Sequence, residues 1–392
     1  RQDERHGSTG PLRPTEVERP SFGALRVLVL AAAVLIPVVL AVFLLGRDTD
    51  PETSGTTSGS FYAFDTVTVT SDFDVAGSGK NVDSIAFWEG PTAAESLMFV
   101  TSKNVSMVEV WRYPFNAPAR EAKELTHTCL EASEESATNG VIVDQKADLL
   151  YVASNFSPNV CVFSLPDLTH RTTITSGAAY DVEPNLALLK LPDGSTRLYV
   201  SDDEIVHVHD ATTGRKLSQF TPEEGLETMW GDSQAQVLYI PDENDRTGVY
   251  AYQPDGTPYL RDGRDFFGGS DIIDADAEGI LEYTCPASGT RDNGNGLIVV
   301  SDQIDTASVG NDYEVFDRLT WSHLGTIKLR LPGGTDFVFN TDGIGTTQQA
   351  SPRYPGGLFT AIHDDTSVAG VGWDKIFDAI SAQNGDTFSC GG

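Results

Sequence analysis

LMFVTS (97–102), LLYVAS (149–154), RLYVSD (197–202), VLYIPD (237–242), LIVVSD (297–302) and LFTAIH (358–363) are six versions of one pattern, with Phe99, Tyr151, Tyr199, Tyr239, Val299 and Phe359 in register. Each run is dense in β-branched and aromatic residues, the composition of a buried strand. The in-register positions recur every 40 to 60 residues, a spacing that suits a propeller blade. A second apolar run follows several of them, as in MVEVWRY (107–113), VCVFSLP (160–166) and VYAYQPDG (249–256), with Gly, Asp and Pro marking the turns. Helical periodicity is nearly absent. The expected fold class is all-β, a six-bladed β-propeller of four-stranded blades over residues 66–392, preceded by one transmembrane helix. A pair of β-sandwiches would also be all-β, but it would not generate six similar units.

Upstream of the propeller, VLVLAAAVLIPVVLAVFLLG (27–46) carries no charge, and twenty apolar residues at helical rise cross about 30 Å of hydrocarbon. This stretch reads as a single-pass anchor. Arg1, Arg5, Arg13, Arg19 and Arg26 precede it and acidic residues follow it, so residues 1–26 are expected in the cytosol and the propeller outside the cell or in the periplasm. A cleaved signal peptide is the competing reading, without a clean small-residue cleavage site to support it. Residues 47–65 are polar, low in complexity and read as a flexible linker. Outside the membrane Cys129, Cys161, Cys285 and Cys390 meet an oxidising environment, and no CxxC spacing marks a zinc or redox site. Of three possible pairings, Cys129 with Cys161 and Cys285 with Cys390 is the expected one: the first two lie close in sequence, and the second pair would hold the C-terminal tail.

Acidic residues outnumber basic ones 57 to 26, a net charge of −31 that disfavours nucleic acid or an anionic membrane surface as partner and favours cations. Most of this charge serves solubility. One subset is patterned. Some 12 to 21 residues before each in-register position stand Asp83, Asn139, Glu183, Glu224, Glu278 and Asp342. If each opens an innermost strand, propeller geometry aims all six at one mouth of the central channel, and oxygen ligands without His or Cys suit a hard cation such as calcium. The competing reading makes each acid a turn former, with the glycine that follows several of them serving the same turn.

At these residues the sequence resembles the β-propeller phytases, calcium-dependent six-bladed enzymes that remove phosphate from inositol hexakisphosphate. DADAEGILEYT (274–284), GTDFVFNTDGIG (334–345), YPGGLFTAIHDD (354–365) and GVGWDKIFDAI (370–380) resemble the last third of that family in order and spacing, and NVDSIAFW (81–88), TSKN (101–104), EEGLETMWGD (223–232) and LYIPDEN (238–244) resemble it more loosely. The resemblance implies a monomeric propeller in which Glu224, Asp276, Glu278 and Asp342 hold catalytic Ca2+, with Asp83 and Glu243 as further metal ligands. It places Asp336 near the attacking water and gives Asp336, Asp342, Glu224 and Glu278 the catalytic roles. Water activated by calcium attacks phosphorus in line, and Lys103 contacts the phosphorylated small molecule, an inositol phosphate or another phosphoester.

The sequence also departs from that family. Asn104 stands where a second lysine is common, Phe156 where an arginine is expected, Asp203 where a further base is expected, and the family tyrosine is missing near Glu183. Lys80, Arg291 and Arg353 are other bases that could reach the site. Two functions therefore stand: a membrane-anchored calcium-dependent phosphomonoesterase, or a calcium-binding propeller that is catalytically weak and serves as a binding or adhesion module. No GxSxG elbow and no phosphate loop before a helix occurs, which removes serine-hydrolase and nucleotide-binding readings. His207 and His209 alternate on a predicted strand and read as surface residues, and DENDR (242–246) reads as a turn that contributes Glu243.

Overall fold

The six repeated runs are the second strands of six sheets. In the computed structural model, which describes residues 66–77, 81–113, 123–131, 137–155, 157–179, 182–222, 225–226, 228–243, 248–285 and 294–384, those runs fall in Leu97–Ser102, Leu149–Asn155, Thr196–Asp202, Val237–Pro241, Gly296–Gln303 and Leu358–His363. Each pairs antiparallel with a strand that touches its counterparts in the neighbouring sheets and so lines the channel. These innermost strands are Val82–Trp88, Ala137–Asp144, Leu186–Lys190, Trp230–Asp232, Asp276–Thr284 and Ile344–Thr347. The described residues form a six-bladed β-propeller.

The in-register positions are buried because they face the next blade. Phe99, Tyr151, Tyr199, Tyr239, Val299 and Phe359 are all at most 2% exposed. The tyrosines also cross between blades through their hydroxyls. Tyr151 donates to the Ala211 carbonyl at 3.2 Å, Tyr199 to the Pro254 carbonyl at 2.9 Å, and Tyr239 accepts from the Trp321 indole at 3.3 Å. An aromatic at this position therefore fills the wedge between sheets while its polar end is satisfied on the far side.

Closure uses both ends of the described chain. Phe73–Ala76 pairs antiparallel with Ser367–Gly372 and completes the sixth blade, which otherwise has three strands. Val67–Thr70 adds in parallel to His323–Arg330, giving the fifth blade five strands. The helix Trp373–Asn384 packs against that closure, with Trp373, Ile376 and Ile380 buried in the core shared by the fifth and sixth blades.

Cys129 and Cys161 are joined, with Cα atoms 6.0 Å apart, as expected. Cys285 is also in a disulfide, and its expected partner Cys390 lies outside the described residues. So do the expected anchor (27–46) and linker; among the described residues no helix is long and apolar enough to cross a membrane. One expectation is corrected. His207 and His209 are buried, at 3% and 0% exposure, because the strand Ile205–Asp210 is overlaid by the chain around Ser176 and Gly214. His207 lies 3.1 Å from the Asp202 carboxylate and 2.8 Å from Lys216 Nζ, and burial holds its pKa below the usual histidine value.

Candidate site at the channel mouth

Three innermost strands carry a register shift at their first turn, and each shift contains a polar residue of the predicted ring: Asp83, Asn139 and Glu278. A bulge re-aims a side chain that the regular pleat would send toward a neighbouring sheet. Glu183 and Asp342 stand two or three residues before their strands, at the same end. The glycines beside these residues have a steric reason unrelated to turns. A Cβ on Gly343 would lie 2.2 Å from the Asp83 carbonyl oxygen, one on Gly140 2.7 Å from the Asn185 Cα, and one on Gly279 3.0 Å from the Asp342 carbonyl oxygen. Innermost strands converge on the axis, and the acid–glycine pairs let adjacent backbones meet there.

The mouth holds a cavity of about 310 Å³ lined by Asn81, Lys103, Glu183, Glu243, Glu278, Gln303, Asn340, Asp342 and Asp365. Lys103 Nζ lies 3.1 Å from Asp83 Oδ1, 2.9 Å from Glu183 Oε2 and 3.6 Å from Asp342 Oδ2. Gln303 Nε2 donates to Asp342 Oδ1 at 2.7 Å, and Asn340 Nδ2 to Asp365 Oδ1 at 2.8 Å. Burial, together with the Asp83 charge and against the pull of Lys103, pushes the Asp342 carboxyl up to about 7. Burial also raises Glu243, with Asp276 adding to the effect, and raises Asp365. These carboxylates are short of positive charge.

Of the residues singled out from sequence, Lys103, Glu183, Glu243, Glu278 and Asp342 line one cavity, and Asp83 joins it through Lys103. Asp276 opens the innermost strand of the fifth blade, within electrostatic range of Glu243. Asp336 lies on an exposed turn and is not part of the cavity lining. Glu224 lies outside the described residues. Gln303, Asn340, Asp365 and Asn81 were not anticipated, although the repeat carries a signal for part of this set. The residue directly after each six-residue run is Lys103, Asn155, Asp203, Glu243, Gln303 or Asp364. Antiparallel pairing sets that position beside the start of the innermost strand, and Lys103, Glu243 and Gln303 of this set line the cavity.

The donors present are carboxylate and amide oxygens, the chemistry of a hard-cation site, and an ammonium already stands among three of the carboxylates. In charge and donor type the residues fit calcium. Among the described residues no three such side chains stand in a metal-coordinating arrangement.

No family model and no curated protein matches the chain. A chain in the crystal structure of the mitotic checkpoint complex aligns over 84% of this chain and 98% of its own length, at 12% identity and a TM-score of 0.48. A likeness of that size carries no argument. The fold rests on the strand pairing itself.

Proposed function

We propose that the channel mouth is the site of a calcium-dependent phosphomonoesterase of the β-propeller phytase kind. The observation that supports this is the meeting of carboxylates from four blades, around one lysine from a fifth, in a single cavity. Asp83, Glu243, Asp276, Glu278 and Asp342 would hold calcium, with Glu224 added by resemblance, and calcium when bound offsets their charge and lends Lewis acidity toward a phosphoryl oxygen. Lys103 donates to the phosphoryl group, Gln303 fixes one oxygen of Asp342, and the apolar channel wall below, with Ile85, Leu186, Met229 and Ile280, keeps the phosphate at the mouth. Asp336 belongs to this reading by resemblance alone.

Lys103 is the one basic side chain among the described residues that line the cavity. A substrate with six phosphates would bring far more negative charge than one ammonium answers, so the proposed substrate carries one or a few phosphate esters. The Cys129–Cys161 disulfide supports an oxidising compartment, and residues 27–46 would anchor the propeller on the outer side of a membrane.

Phosphate release by the full chain in detergent, with and without calcium, tests the proposal on an aryl phosphate and on inositol hexakisphosphate. Calcium-dependent release, greater for the aryl phosphate and lost in Asp342→Ala, is the expected result. The scarcity of bases at the mouth favours one second reading, a calcium-braced binding module. It takes over if calcium raises the melting temperature while neither ester is hydrolysed.

A further inference from the structure

Lys103 leaves the hairpin between Leu97–Ser102 and Met107–Arg112, yet its side chain is only 13% exposed. It reaches carboxylates of three blades: Asp83 on the first, Glu183 ahead of the third and Asp342 ahead of the sixth. The N···O distances of 2.9 to 3.6 Å spread these oxygens around an ammonium, whereas calcium draws its oxygens in to about 2.3–2.6 Å. Asp83 and Asp342 cannot serve both cations in these positions.

We propose that Lys103 is the built-in competitor of the divalent cation: it closes the mouth by pairing with Asp83, Glu183 and Asp342, and cation binding releases its Nζ into the cavity. The proposal rests on the cation-dependent reading above and adds how the site is regulated. Charge gives the direction, since a doubly charged ion answers the crowded carboxylates of the mouth better than one ammonium does. Glu183 gives the path. Its side chain is 43% exposed at the rim, so a lysine that loses Asp83 and Asp342 keeps a partner there, on the solvent side where a phosphoryl group would arrive. Binding the metal and presenting the phosphate-binding cation thus become one event.

Two measurements on the full chain test this, both in 0.5 M KCl so that long-range charge effects are screened. Calcium affinity is measured by titration calorimetry for the wild type and for Lys103→Met, with Lys103→Gln as a second variant should the first not fold. Reductive methylation of Lys103 in the wild type, read by peptide mass spectrometry with and without calcium, needs no variant. The expected results are calcium binding about tenfold tighter or more in the variant, and a similar rise in Lys103 labelling when calcium is bound. Equal affinities, or labelling unmoved by bound calcium, overturn the competition and leave the cation site standing. Calcium binding by the variant alone makes Lys103 the permanent occupant, which overturns the release and removes the phosphomonoesterase reading with it. No calcium binding by either protein removes that reading and this proposal together.

Discussion

At the residue scale the sharpest constraint is the contact between Gly343 and the first blade. Its φ is not in the left-handed region, so the residue is glycine for space alone: an added Cβ meets the Asp83 carbonyl at 2.2 Å and the Ser84 Cα at 2.9 Å. Both neighbours are backbone in a packed strand and cannot swing aside. Gly343→Ala is expected to cost about 2–3 kcal/mol in urea unfolding, while Gly334→Ala, on an exposed turn with its nearest neighbour at 3.8 Å, stays within about 0.5 kcal/mol. Equal effects would return the acid–glycine pairs to the turn reading. The pairs were visible in the sequence as a recurring motif, but their cause was not, because a clash with the next blade depends on how far strands converge at the axis. The histidines failed for a related reason. Alternation on a strand says that His207 and His209 share a face, and only the tertiary fold says that Ser176 and Gly214 cover it.

At the scale of strands and blades, the repeat made the second strands legible because each carries a buried run ending in a polar residue. Their consequence for packing is a chain of tyrosine hydroxyls crossing from blade to blade. Tyr199→Phe leaves the Pro254 carbonyl without its donor and is expected to lower stability by about 1 kcal/mol, read as a shift in urea midpoint at constant m-value. Larger losses belong to the joint between the fourth and fifth blades. There Arg318, 2% exposed, binds Asp232 at 2.6 and 2.8 Å and Glu282 at 2.8 Å. Arg318→Met strands two buried carboxylates and is expected to cost about 3–5 kcal/mol, whereas a loss under 1 kcal/mol would mean that water reaches the pair. The closing elements were less legible. Trp373, Ile376, Phe377 and Ile380 have the spacing of a helix face, but four such residues are too few to stand out in a sequence otherwise nearly without helical periodicity. The short strands Val67–Thr70 and Phe73–Ala76 have no repeat partner in the sequence, so their pairing with blades at the far end of the chain had no local signal.

At the scale of the whole molecule, the excess of acid was legible as solubility and, in Asp342 and its counterparts, as a patterned set at the channel mouth, but the depth at which some of these carboxyls are buried was not. Asp302 is 0% exposed and accepts from the backbone N–H groups of Asp274 and Ala275 at 3.0 and 2.8 Å, yet burial pushes its carboxyl up to about 7. Asp342 at the mouth is raised to about 7 as well, again chiefly by burial. A carboxyl whose pKa is higher folded than unfolded holds extra protons in the native state, so stability is full below the unfolded value and is lost as pH rises through the folded one. Between pH 6 and 8 each of these two groups is expected to remove about 1 kcal/mol in calcium-free buffer. His207, lowered by burial, pulls the other way, but chiefly below the ordinary histidine value of about 6.5. The melting temperature should therefore fall from pH 6.5 to pH 8 without calcium. Asp302→Asn should flatten the slope whether or not calcium is present, since its carboxylate is held by backbone N–H groups and is not part of the cavity lining. Calcium should remove only the share that belongs to the proposed ligands with raised carboxyls, Asp342 and Glu243, by favouring their ionised forms. A slope that calcium leaves untouched, with Asp302→Asn still flattening it, would place the cation elsewhere than at Asp342. If calcium abolished the slope entirely, Asp302 would be the residue to reassign.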